Sequence, residues 1–412
     1  MDFLPYLMVG VNSFALKNVE GKADNWLEFG KWRYDFLKNG NDNLSEVVKQ
    51  KALELVGDEK DPIKKAKIIY QFMQNKTRYI SVQEGIGGWK PIPANQVDKV
   101  GYGDCKGLTN YTKALLDAVG VKSHYSVIWA GKEKRSVEKD FFGMQGNHVI
   151  LNIPNEGKDI WLECTSQTIP FGFLGDFTDD RDVLVVTPEG GVIKRTTSYK
   201  DDVNLQTISG EIELSATGDV KAKLKRVSKG IQYDDKSYLD GYTDEELIKK
   251  YKSKVWSYNN NLEVNTHQLE NDKENVVFTE DLELSIKNFA SINENEYLFR
   301  VNIFNRESYV PKRYRNRELP LKIRRGYKDV DQFTIKIPET YKLEYLPENR
   351  ELTTKFGTYK ISFEKIDESS FLYKKEISIK EGIHPKEDYK KYRSFRRSIA
   401  KSENLRIALI KK

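Results

Sequence analysis

The feature that most constrains this 412-residue chain is a change of hydrophobic period near residue 200. Before it, apolar residues recur at helical spacing in three runs. These are 44–56 (LSEVVKQKALELV), the stretch after Asp61-Pro62 (IKKAKIIYQFMQ), and a segment from Cys105 in which Leu108, Tyr111, Leu115, Leu116 and Val119 form one stripe. Gly57 and Gly120 supply helix stops, while Asp61 and Pro62 supply an N-cap and a first helical residue. After residue 200, apolar and polar residues alternate through 208–214, 275–286, 333–337 and 373–379, which is the period of strands. Only 244–255 and 389–401 read as helices in that half. Such a length exceeds what one hydrophobic core serves. The pattern predicts an α+β fold: a core over 41–200, in which helices precede strands at 124–130, 148–153 and 160–165, then a mainly β, sandwich-like domain over 201–412. Residues 1–40 hold short aromatic pieces without a long periodic run and read as a lead-in segment.

Charge and cysteine usage narrow the function. The net charge is +6 with acids and bases interspersed, whereas nucleic-acid binding needs a concentrated basic face. The two basic stretches, 312–325 and 390–397, lack the aromatic and glycine pattern of an RNA-binding sheet and read as solvated faces. No apolar run is long enough to span a bilayer, and Met1–Gly10 lacks the positive n-region of a signal peptide. Two cysteines, Cys105 and Cys164, make no disulfide framework, and four scattered histidines show no metal-ligand spacing. No metal or other cofactor is expected.

The chemistry concentrates at 100–120, VGYGDCKGLTNYTKALLDAVG. A thiol at a helix N-terminus feels the positive end of the dipole, which favours the thiolate, and the free N–H groups of the first turn suit an oxyanion. Downstream, HVILNIP and KDIWLECT flank a turn. If Asn155 and Glu156 are its central residues, His148 lies directly opposite Glu163, and a carboxylate there orients an imidazole whose second nitrogen is free for a thiol. Cys105, His148 and Glu163 are therefore the candidate catalytic residues. Asp104 reads as a helix cap rather than a reacting group. Gln83 and Trp89, in the glycine-rich loop before the helix, are candidates for a second oxyanion donor, with core packing the alternative for Trp89. Cys164 points away from Glu163 on a strand and reads as inert core.

The segments GYGDCKGLTNYTKALLDAVGV, NHVILNI and IWLECTSQTIPFGFLGDFTDDRDVLVVTPEGG together resemble the transglutaminase-like superfamily, with its papain-like cysteine site. In particular they resemble the bacterial multidomain members that set this core between β domains. The resemblance covers about residues 40–200. It implies a Cys105–His148–Glu163 triad, with Glu163 standing where the family more often has Asp. It also implies that residues 1–40 are the remnant of an N-terminal β domain, and that the protein is exported or periplasmic. The activity expected is acyl transfer: a cysteine peptidase or amidase acting on peptide or isopeptide bonds of a peptide or protein substrate. Glutamine-directed cross-linking and a non-catalytic binding module on the same fold are the alternatives.

Overall fold

The computed structural model describes residues 5–16, 19–38, 40–81, 88–294 and 296–412. The chain is 34% strand and 26% helix, an α+β composition with a large β-rich part. It divides into two compact units, Met1–Ser198 and Tyr199–Lys412.

In the first unit, β1 (Ser13–Leu16) and β2 (Val19–Lys22) form a hairpin and lead into α1 (Trp26–Lys38). This thirteen-residue helix lies where short aromatic pieces were expected. Trp26, Phe29, Trp32, Phe36 and Leu37 are its buried face, and they cluster with Tyr125, Val127, Leu184 and Val186 of the central sheet. Next come α2 (Glu46–Val56), capped by Ser45, and α3 (Pro62–Lys76), where Asp61 accepts from the Ile63 and Lys64 N–H groups at 2.7 and 3.2 Å. Two-residue strands β3 (Arg78–Tyr79) and β4 (Tyr102–Gly103) pair in parallel on either side of α4 (Ala94–Val100).

Helix α5 (Cys105–Ala118) is the centre of the unit. Leu108, Tyr111, Leu115 and Leu116 pack against α2, α3 and α4 in one core cluster, as the apolar stripe predicts. The polar side of the helix is buried too, because each of its polar groups is bonded. Thr109 donates to the Val149 carbonyl (3.3 Å), Asn110 to the Asn41 carbonyl (2.6 Å) and Thr112 to the Leu108 carbonyl (2.7 Å). Buried polar groups paired in this way no longer carry their desolvation penalty alone.

After α5 run β5 (His124–Ile128), β6 (His148–Ile153), β7 (Ile160–Leu162), α6 (Gly175–Thr178), β8 (Asp182–Thr187) and β9 (Gly190–Arg195). The strands make an antiparallel sheet in the order β7-β6-β5-β8-β9. Helix α1 packs across β8 and β9. The approach is close: a Cβ at Gly30 would sit 2.1 Å from the Gly191 backbone.

The second unit is built on an eight-stranded sheet. Its strands, in spatial order, are Leu262–Asp272, Val277–Ile286, Val220–Lys229, Leu205–Leu214, Tyr327–Lys336, Ser370–Ile379, Gly357–Lys365 and Arg350–Thr354. The pair Leu205–Leu214 and Tyr327–Lys336 is parallel, and the other pairs are antiparallel. One cross-strand row runs Glu280, Arg226, Ile208, Asp331, Lys375, Ile361. Its four charged residues are buried and paired: Arg226 with Glu280 at 2.5 Å through two nitrogens, and Lys375 with Asp331 at 2.7 Å. A smaller sheet joins Ser291–Ile292, Glu296–Arg300, Arg406–Lys411 and Tyr341–Leu343. The helix expected over 244–255 is α-helical for Asp244–Lys250 and continues as a π-helix through Tyr251–Val255.

Candidate active site

Asp104 fixes the start of α5. Its Oδ1 accepts from the Gly107 N–H at 2.9 Å, its carbonyl accepts from Leu108 N–H at 2.9 Å, and its other carboxylate oxygen pairs with the Lys106 ammonium. It therefore acts as the cap its position predicts. The remaining first-turn donors are the N–H groups of Cys105 and Lys106. Cys105 is buried beneath a cavity of about 410 Å³, which it lines with Lys106, His148, Trp89, Arg33 and Met144.

His148 opens β6, and its Nε2 lies 3.0 and 2.9 Å from the two carboxylate oxygens of Glu163. The register differs from the one expected. The turn is centred on Glu156 and Gly157, with Lys158 N–H donating to the Asn155 carbonyl (3.1 Å) and Gly157 at φ +73°. Glycine takes that left-handed conformation without a Cβ clash, and this draws the turn one residue along. Leu151 then faces Leu162 and Asn152 faces Trp161, so His148 and Glu163 are displaced by two residues from direct opposition. A two-residue displacement preserves side-chain parity, whereas one residue would reverse it. Glu163 lies just past the end of β7. Thr165 holds its Oε1 through N–H (3.2 Å) and hydroxyl (2.5 Å), and Tyr70 donates to its backbone carbonyl (2.7 Å).

Burial pushes the His148 imidazole toward neutrality. The Glu163 charge and hydrogen bonds to Cys105 and Glu163 oppose this and win, raising its pKa to about 10. Burial likewise pushes the Glu163 carboxyl up, while His148 and Thr165 together bring it below the ordinary carboxylate range. The pair is held in its charged form by mutual attraction. Cys164 is different: buried among the apolar residues of α2, α3 and α5, its thiol is pushed up to about 12.

The structure thus brings Cys105, Asp104, His148, Glu163 and Trp89 into one region, with Trp89 on the cavity wall. Gln83 lies outside the described residues. Three neighbours were not foreseen from sequence. Arg33, on α1, is buried at the cavity. Phe177, on α6, packs edge-to-face on the His148 ring with centroids 5.4 Å apart. A second cavity of about 380 Å³, lined by Phe14, Trp32, Phe141 and Phe142, shares Trp89 and Met144 with the first. These groups arrive from segments far from residue 105 in sequence, and no local spacing announces them. Among the described residues no group of acids, histidines and cysteines is arranged to hold a metal, and no helix is long and apolar enough to cross a membrane.

Residues 295–409 match the family model of a domain of unknown function with a solved structure, DUF3858. The fold as a whole is similar to a solved structure from Parabacteroides distasonis described as a "putative protease". The TM-score is 0.51 at 12% identity, over 92% of this chain and 58% of that one. This chain therefore spans little more than half the length of that structure. No curated protein matches the sequence.

Proposed function

We propose that the chain is a cysteine peptidase or amidase of the transglutaminase-like type, with Cys105 as nucleophile, His148 as proton carrier and Glu163 as the group that orients His148. The observation that carries this reading is the pairing of the His148 imidazole with Glu163 through Nε2, in the cavity that also holds the helix-start thiol. In this reading residues 41–200 are the catalytic core, 201–412 an accessory, mainly β domain, and 1–40 a lead-in.

In this reading the reaction is a two-stage acyl transfer. In the resting site His148 already carries the proton that the Cys105 thiol has given up, and the Cys105 sulfur attacks an amide carbonyl carbon as the thiolate. The oxyanion is met by the N–H groups of Cys105 and Lys106 at the positive end of α5, with Trp89 at the rim. The C–N bond breaks as His148 returns the proton to the leaving amine, and a thioester remains on Cys105. His148 then deprotonates the incoming water, which releases the acid. Glu163 keeps Nε2 protonated and the other ring nitrogen toward sulfur. The apolar second cavity suits a large apolar side chain beside the scissile amide.

The test is a panel of fluorogenic peptides run beside glutamine–amine pairs, with Cys105→Ala as control. Peptide cleavage abolished in the variant supports hydrolysis. Amine incorporation without cleavage replaces it with cross-linking. Equal background from both proteins would leave a binding module.

A further inference from the structure

The second unit contains a cavity of about 270 Å³ lined by Arg300, Arg306, Arg406, Lys287, Tyr258 and Asn259. Arg300 and Arg406 are direct partners across the two strands of the smaller sheet. Like charges so placed destabilise an antiparallel pair. Among the described residues no carboxylate lies within ion-pairing distance of any of the three arginines. Lys287 meets Glu263 at 3.8 Å, with both side chains largely in solvent. Arg306 lies over the Tyr258 ring, 4.3 Å from its centre. The Nε atoms of Arg300 and Arg306 are buried without a hydrogen-bond partner. The acid whose charge reaches Arg306 is Glu403, and it is already engaged by Tyr359 (2.7 Å) and Asn302. Burial, and for each the charge of a neighbouring arginine, lower the pKa of Arg300 and Arg306.

Guanidinium groups gathered without counter-ions raise the free energy of the fold, and an anion placed among them offsets that cost with charge-assisted, bidentate hydrogen bonds. We propose that this cavity binds a small oxyanion-bearing ligand, a phosphate, sulfate or carboxylate, held between Arg300 and Arg406 with Arg306 and Tyr258 as one wall. The site lies in the unit that does not contain Cys105, and the proposal stands independently of the peptidase reading.

Calorimetry and thermal unfolding of the full chain test it, with sodium phosphate, sodium sulfate and sodium glucuronate each compared with sodium chloride at matched ionic strength. The expected result is saturable heat and a saturable rise in Tm with at least one oxyanion that chloride does not reproduce. Phosphate and sulfate without glucuronate identifies a tetrahedral anion, and glucuronate alone a carboxylate. Arg406→Gln, at an exposed position, weakens binding at least about tenfold and raises the ligand-free Tm, because it relieves the like-charged pair. Arg300→Lys keeps the charge, loses the fork and also weakens binding. Lack of a saturable response to all three anions, wild-type affinity in Arg406→Gln, or a lower ligand-free Tm in that variant overturns the proposal.

Discussion

The hydroxyl of Tyr70, on α3, donates to the backbone carbonyl of Glu163 at 2.7 Å, tying the helical side of the first unit to the residue that holds His148. Both groups are buried, and Tyr70 is so enclosed that its phenol is held far above its ordinary pKa by burial. Tyr70→Phe keeps the ring and leaves the carbonyl without its donor. Urea unfolding is expected to show a loss of about 1–3 kcal/mol. In the proposed enzyme kcat falls more than KM changes, because Glu163 is displaced and the cavity wall is not. A loss below about 0.5 kcal/mol would mean that the carbonyl finds another partner.

The charged pair of His148 and Glu163 imposes a pH window on stability. Glu163 has a lowered folded pKa, so its contribution is present above the ordinary value of 4.5 and is lost as pH falls through the folded one. His148 has a raised folded pKa, so its contribution is complete below the ordinary value of 6.5 and is lost as pH rises through about 10. Glu163→Gln removes the acid limb and weakens the alkaline one, to which Cys105 also contributes. Thermal unfolding across pH 3–11, roughly the span of these two titrations, is expected to give a flatter curve for the variant. Superimposable curves would dismiss the coupling.

The two thiols differ in environment, and alkylation separates them. Cys105 lines a cavity, while Cys164 is fully buried with its thiol pushed up to about 12. Native protein treated with iodoacetamide near neutral pH should gain one label, at Cys105, and Cys105→Ala should gain none by intact mass. Cys105→Ala is also expected to lower any amidase activity by at least about a thousandfold. Labelling of Cys164 at a comparable rate would show that the core around it opens.

Helix α1 depends on the contact between Gly30 and Gly191, where an added Cβ meets backbone at 2.1 Å. Backbone cannot yield as a flexible side chain does, so Gly30→Ala should destabilise the first unit by about 1–3 kcal/mol or more. Since Arg33 on the same helix borders the cavity of Cys105, cavity shape changes with it. Unfolding monitored by tryptophan fluorescence, with Trp26 and Trp32 on α1 as reporters, measures this directly.

How far the sequence foretells such a protein depends on where the information lies. Caps and stops are local, and Asp61 and Asp104 both sit where their side chains meet the expected N–H groups. The change from helical to alternating period is local as well, and it corresponds to the passage from helices to long strands. The β6–β7 turn is subtler: Asn155-Glu156 and Glu156-Gly157 are both plausible centres, and the left-handed conformation of Gly157 chose the second. Helix α1 is hard to read from sequence because its large aromatics look like isolated pieces, although Trp26, Phe29 and Trp32 repeat at a helical interval. The buried polar side of α5 could not be foreseen. Thr109 and Asn110 resemble a solvated face until the Val149 and Asn41 carbonyls are in place. Arg33 and Phe177 reach the His148 region only through tertiary packing, which no spacing along the chain encodes.

The charged row across the eight-stranded sheet acts as a proofreading device for assembly. A strand that slips by two residues keeps its apolar and polar faces and passes any test based on hydrophobicity alone. It does not pass here. Moving Ser370–Ile379 by one such step carries Lys375 away from Asp331, and moving Val220–Lys229 carries Arg226 away from Glu280. Each error strands a buried ion, at a cost of about 3–5 kcal/mol. The native register is therefore favoured over a two-residue slip by charge as well as by packing.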